Sequence, residues 1–277
     1  MAIALGSCAR PKPAERMITV SIEPQSYLLE QIVGERFTVA CMLSSGSNPE
    51  VYEPSINHLM NLERSEAYFC IGNIGFELAI VDKARSEYPS LRLYDNSRGV
   101  EMLHGSHGTG SQDGSHSHEV DPHIWTSVPN AVVIARNMTD AVIELDPGNA
   151  DEYEANCTSL RQHLESLDAE LRQQLAPVAG QSFLVWHPSL SYFARDYGLN
   201  QISLEHEGKE APVGEMKAKI DEARLSGATV LFFQKEFDSR QVSTINQQIG
   251  ATMVTINPMS HDWEKEMRSI ANALVAK

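Results

Sequence analysis

The sequence predicts an α/β protein built as two parallel-sheet lobes joined by a long, rigid helix, and three observations predict it. Short apolar, β-branched runs alternate with helix-length segments, the pattern of parallel strands with crossover helices. The runs fall into two groups of four, at Met17–Ile22, Phe37–Leu43, Ala67–Gly72 and Leu91–Tyr94, then at Ser182–Trp186, Gln201–Leu204, Thr229–Phe233 and Thr252–Asn257. Between the groups lies a helical stretch with no strand signal.

The first group makes an amino-terminal lobe over residues 17–128, and the second a carboxyl-terminal lobe over 179–277. Residues 129–178 are the connection. Pro129–Leu145 reads as one helix, and Asp146-Pro147, a cap and first-turn proline, opens a longer one over Asn149–Leu175. In it Leu160, Leu164, Leu167, Leu171 and Leu175 form one apolar stripe, with Glu, Arg and Gln on the other faces. Pro177 and Gly180 end it. A helix of that length spans roughly 40 Å and can act as a strut between lobes.

The 277 residues suffice for such a core, and 42% apolar with 21% charged residues is a soluble globular composition. Lys and Arg number 22 against 37 Asp and Glu, a formal charge of −15 that repels phosphate backbones, so no nucleic-acid partner is expected. Leu5-Gly6-Ser7-Cys8 looks like a bacterial lipobox, although a basic n-region is missing and the apolar segment is short. Residues 1–16 are therefore expected to be a leader remnant and tether, with a lipid anchor at Cys8 as the only membrane contact. Cys41, Cys70 and Cys157 show no CxxC spacing and read as buried thiols.

Open parallel sheets bind ligands beyond the carboxyl ends of their strands. The polar residues there are Glu50, His187, Gln234 and Asn257, with His123 ahead of the helical connection. The two halves rhyme at this edge: Val20-Ser-Ile-Glu-Pro24 and Leu184-Val-Trp-His-Pro188 each run a strand into an acid or histidine and then proline. Two imidazoles and a carboxylate from three separate segments suit zinc, with a fourth position left open. Each also has an ordinary reading: His187 as a core histidine, Glu50 as a solvated acid, Asn257 as a turn former.

Five of the ten histidines lie between His104 and His123. Over 104–118, glycine and serine set no fixed backbone, so His104, His107, His116 and His118 form a mobile cluster of nitrogen donors, or else a solvated linker. His123 differs, because Pro122 restricts the chain before it and Ile124 and Trp125 anchor the chain after it.

The segments Gly46-Ser-Asn-Pro-Glu-Val-Tyr-Glu-Pro54, Asp121-Pro-His-Ile-Trp125, Val185-Trp-His-Pro-Ser-Leu-Ser-Tyr192 with Tyr197-Gly-Leu199, Glu207-Gly-Lys-Glu-Ala-Pro212 and Phe232-Phe-Gln-Lys-Glu-Phe237 resemble, in order, the zinc/manganese solute-binding proteins of bacterial ABC importers, in their zinc-uptake branch. The resemblance runs from about Met17 to the carboxyl terminus. It implies the metal-type solute-binding fold, with an ion held between two lobes. It places the family's histidine ligands on His123 and His187, and its first-lobe ligand, usually histidine, on Glu50. The harder carboxylate oxygen moves some preference toward Mn(II) or Fe(II), whereas the His-rich loop points to Zn(II). The fourth ligand stays open among Asn257, Gln234, a loop histidine and water. The expected protein is a monomeric, periplasmic or cell-surface receptor that delivers Zn(II) to an ABC permease membrane subunit, and not an enzyme. A zinc hydrolase is the rival, but His118-Glu119 and His206-Glu207 lack the second histidine of His-Glu-x-x-His, and neither a nucleophile elbow nor a phosphate-binding loop is present. A surface adhesin would carry no tight metal site.

Overall fold

The computed structural model describes residues 16–43, 52–104, 120–206, 209–210, 213–235, 237 and 239–276. The amino-terminal lobe runs β1 (Met17–Ile22), α1 (Glu23–Val33), β2 (Thr38–Leu43), α2 (Ile56–Arg64), β3 (Ala67–Cys70), α3 (Gly75–Glu87) and β4 (Arg92–Asp95). The connection is α4 (Val128–Leu145) and α5 (Ala150–Leu175). The second lobe follows as β5 (Ser182–Val185), α6 (Ser191–Tyr197), β6 (Asn200–Ser203), the two-residue strands β7 (Glu205–His206) and β8 (Lys209–Glu210), α7 (Val213–Leu225), β9 (Val230–Gln234), α8 (Ser239–Ile249), β10 (Thr252–Ile256) and α9 (Trp263–Val275).

All eight predicted strands are present within a residue or two of their expected limits, and they form two four-stranded sheets, ordered β2-β1-β3-β4 and β10-β9-β5-β6. Every pairing within these sheets is parallel. Renumbered within its lobe, the second order is the first read from the other edge, so the lobes share one topology. Parallel strands covered on both faces are buried along their length, and the central strands obey: β1 is buried from Ile18 to Ile22, with Thr19 and Ser21 hydrogen-bonded inside, and β3 along its whole length.

The leucine stripe of α5 is buried in full, from Leu160 to Leu175. At 26 residues the helix is about 39 Å long. It packs on α4 and α1 at one end and on α6 and α9 at the other, and so ties the two lobes together. Asp146 departs from its expected role. Its side chain does not cap the following turn, but accepts from Asn149 Nδ2 at 2.8 Å and Tyr153 Oη at 2.6 Å and pairs with Arg16 at 3.2 Å. The Pro147–Asn149 turn directs the carboxylate back onto the helix junction.

Cys70 and Cys157 are buried free thiols, whereas Cys41 is only half-buried. Burial pushes the Cys70 thiol up to about 12. Among the described residues no helix is long and apolar enough to cross a membrane. Cys8, Glu50 and the loop residues His107, His116 and His118 lie outside the described residues.

Candidate metal centre

Strand β5 is a buried Ser-Phe-Leu-Val run, and the Trp186 amide extends it by donating to Phe232 O at 2.8 Å. Pro188 has no N–H and stops the ladder, so His187 emerges at the carboxyl end of the sheet. His123 arrives from a different direction. One oxygen of Asp121, Oδ1, accepts from the His123 amide at 2.9 Å and pairs with its ring Nδ1 at 2.8 Å. The Asp-Pro-His turn thus fixes backbone and imidazole through one carboxylate. A turn of 3-10 helix, Ile124–Thr126, then leads into α4, which Ser127 caps by accepting from the Asn130 amide at 3.1 Å.

The two imidazoles meet edge to face, with ring centroids 5.1 Å apart and Nε2 to Nε2 at 3.2 Å. On the far side of each ring a carboxylate takes Nδ1: Asp121 for His123, and Glu205 Oε2 at 2.7 Å for His187. A carboxylate accepts and does not donate, so each Nδ1 is the donor to its carboxylate, and the two Nε2 atoms face one another. Two lone pairs at this distance repel unless a cation or proton lies between them. Tetrahedral zinc with bonds of ~2.0–2.1 Å holds two imidazole nitrogens about 3.3 Å apart. The observed gap matches that bite.

Aromatic rings flank the pair. His123 is 8% exposed and leans on Trp125 at 5.1 Å, while His187 stacks on Phe237 at 6.0 Å and 22°. Burial pushes the Asp121 carboxyl up, but hydrogen bonds and charge from His123 more than reverse this and leave it below its ordinary range. Glu205 is 8% exposed.

Of the residues predicted for this site, His123 and His187 come together. Gln234 is buried close by, donating from Nε2 to Ser189 Oγ at 3.2 Å. Asn257 follows β10, and its amide donates to Glu266 Oε1 at 2.7 Å. Glu50 belongs to residues 44–51, between β2 and α2, outside the described residues. Among the described residues no three His, Cys, Asp or Glu side chains form a group that could hold a metal. His104 forms an isolated antiparallel bridge with Val120 and closes the base of the His-rich loop. The positioning carboxylates escaped the sequence reading. Asp121 carried a usable signal, an Asp two residues before a histidine across proline. Glu205 carried none, since only the adjacency of β5 and β6 brings it to His187.

Several known proteins share this arrangement of lobes. A solved ZnuA structure superposes with a TM-score of 0.84 at 35% identity, covering 93% of this chain and 96% of that one. A ZnuA deletion mutant with zinc bound gives 0.85 at 36% identity, covering 95% and 99%. The zinc-binding lipoprotein AdcA of Streptococcus pneumoniae strain R6 is 23% identical over 98% of this chain and 56% of its own length, so the chain spans about half of that relative. A putative metal-binding protein of Chlamydia muridarum is 24% identical over 94% of this chain and 91% of its own. The model of the family described as zinc-uptake complex component A, periplasmic, matches residues 18–277, and this chain belongs to that family.

Proposed function

We propose that the protein is an extracytoplasmic receptor that captures Zn(II) with Glu50, His123 and His187 and delivers it to the membrane permease of an ABC importer. The observation that carries this reading is the pair of facing Nε2 atoms 3.2 Å apart, each ring held from behind by a carboxylate. That spacing fits the bite of a borderline-soft zinc ion. Family membership and the name of the zinc-bound neighbour support the choice of metal. Glu50, in the segment that follows β2 in the chain, supplies an oxygen ligand in this reading, and the fourth position falls to Asn257, Gln234, a loop histidine or water. The ion is cargo, so nothing in the site needs to turn over. Attachment through a lipid on Cys8 and a monomeric state complete the proposal.

Manganese is the second reading, favoured by the single oxygen ligand. The test is elemental analysis of protein purified without added metal or chelator, followed by calorimetric competition between zinc and manganese. Stoichiometric zinc that manganese does not displace supports the first reading. Protein that binds neither ion tightly overturns both.

A further inference from the structure

His123 precedes the linker helices in the chain, yet the hydrogen bonds of its segment run to the second lobe. Tyr192, on α6 and 0% exposed, accepts from the Leu103 amide at 3.0 Å and donates to Asp121 O at 2.7 Å. One hydroxyl therefore joins the two strands of the stem beneath the His-rich loop, which the Asp121 amide also closes by donating to Leu103 O at 2.8 Å. Arg195, one turn along α6, lies over the Tyr192 ring at 5.1 Å and donates to Glu101 O at 3.3 Å. Beyond His123, Ser127 bonds Asp196 of α6, Trp125 Nε1 donates to Pro258 O at 3.0 Å, and Trp263 Nε1 of α9 donates to Trp125 O at 2.7 Å. None of these bonds goes to β1–β4 or α1–α3.

We propose that Tyr192 is a positioning residue for the metal site: by bolting the loop stem to α6 it sets Asp121, and through it His123, so that both imidazoles ride on the second lobe as a preformed two-nitrogen half-site. Resting on the metal-receptor reading above, this makes the histidine pair a half-site that is in place before the ion arrives. The same stem carries the His-rich loop, which places that loop's root three residues from a ligand.

Zinc titration of Tyr192→Phe by calorimetry, with nitrogen-15 histidine spectra of the metal-free protein, tests the assignment. The variant keeps the ring and loses only the hydroxyl. The dissociation constant should rise about ten- to a hundredfold, the range seen when support behind a ligand is removed. His123 should lose its single Nδ1-protonated signature, while His187, held by Glu205, keeps its own. The Tyr192→Phe/Asp121→Asn double variant should bind no more weakly than Asp121→Asn, because the hydroxyl acts through that residue. Unchanged affinity with unchanged His123 signals overturns the proposal, as do losses that multiply in the double variant. A drop in melting temperature alone, with both readouts unmoved, also overturns it.

Should the variant not fold, the unsubstituted protein decides. The His123 ring proton and the Leu103 amide, each compared with its own intrinsic exchange rate, should show the same degree of protection, as one opening unit. Much weaker protection of the ring proton overturns the coupling. If the unsubstituted protein binds no zinc, the receptor reading falls, and the His123 signals still decide whether Tyr192 holds the ring.

Discussion

The first strand of each lobe ends in a similar string, Glu23-Pro24 after β1 and His187-Pro188 after β5, in sheets of the same topology. Their fates differ. After β1 the chain turns straight into α1, with Glu23 as its first residue, and the polar groups at that edge close on one another. Gln25 accepts from the Ser21 amide at 3.1 Å and donates to Phe69 O and Asn96 Oδ1 at 3.2 Å, and Ser21 and Tyr68 share a hydrogen bond of 2.6 Å. After β5 the residues Pro188, Ser189 and Leu190 intervene before α6, and His187, backed by Glu205, faces His123 instead. Sheet topology chooses where polar residues collect. Whether they are consumed internally or offered to a ligand depends on how soon the next helix covers them.

The comparison breaks most visibly at the proposed ligands. His123→Ala and His187→Ala should each raise the zinc dissociation constant by a thousandfold or more, about 4 kcal/mol, because the lone-pair bite needs both rings. Glu23→Gln, at the equivalent edge of the first lobe, should leave it within about twofold. Calorimetry of the three variants decides, and near-wild-type affinity in either histidine variant would remove these rings from the site.

The carboxylates behind the rings come next. Glu205→Gln and Asp121→Asn should weaken zinc binding about ten- to a hundredfold, since the amide keeps size but not charge. A buried carboxyl of the other lobe should behave differently. Glu77 is 2% exposed, accepts from the Ile71 amide at 2.7 Å through Oε1, and leaves Oε2 without a partner. Glu77→Gln should leave zinc affinity intact and act on stability alone.

That stability effect has a defined pH dependence. Burial pushes the Glu77 carboxyl from 4.5 up to about 7, so between those values the folded state holds a proton that the unfolded state has lost. Stability from this group is therefore full below about 4.5, falls as pH rises toward about 7, and is flat above it. The total is about 3 kcal/mol at most. Denaturant unfolding of metal-free protein between pH 5 and 8 should show this decline, and Glu77→Gln should remove it. A variant with the same slope would assign the pH response to other groups.

The smallest effect concerns the loop. Deleting residues 106–118 leaves the His104–Val120 bridge at its base and should not change the tight zinc equivalent, removing only weaker ones. Loss of the tight equivalent would mean that a loop histidine is the fourth ligand.

The architecture was legible in the chain because parallel strands and an amphipathic helix write their periods into adjacent residues. The eight β-branched runs and the leucine stripe of α5 needed no distant partner to be read. His187 was legible for the same local reason, a histidine and proline at the end of a buried run. Tertiary structure decided what meets what: Glu205 reaches His187 from 18 residues away, Tyr192 reaches Asp121 from 71, and Trp263 reaches Trp125 from 138. Hydrogen bonds over such separations depend on which elements pack together, and no sequence period records that. It is these contacts that turn two histidines 64 residues apart into one pair with its nitrogens aimed at a common point.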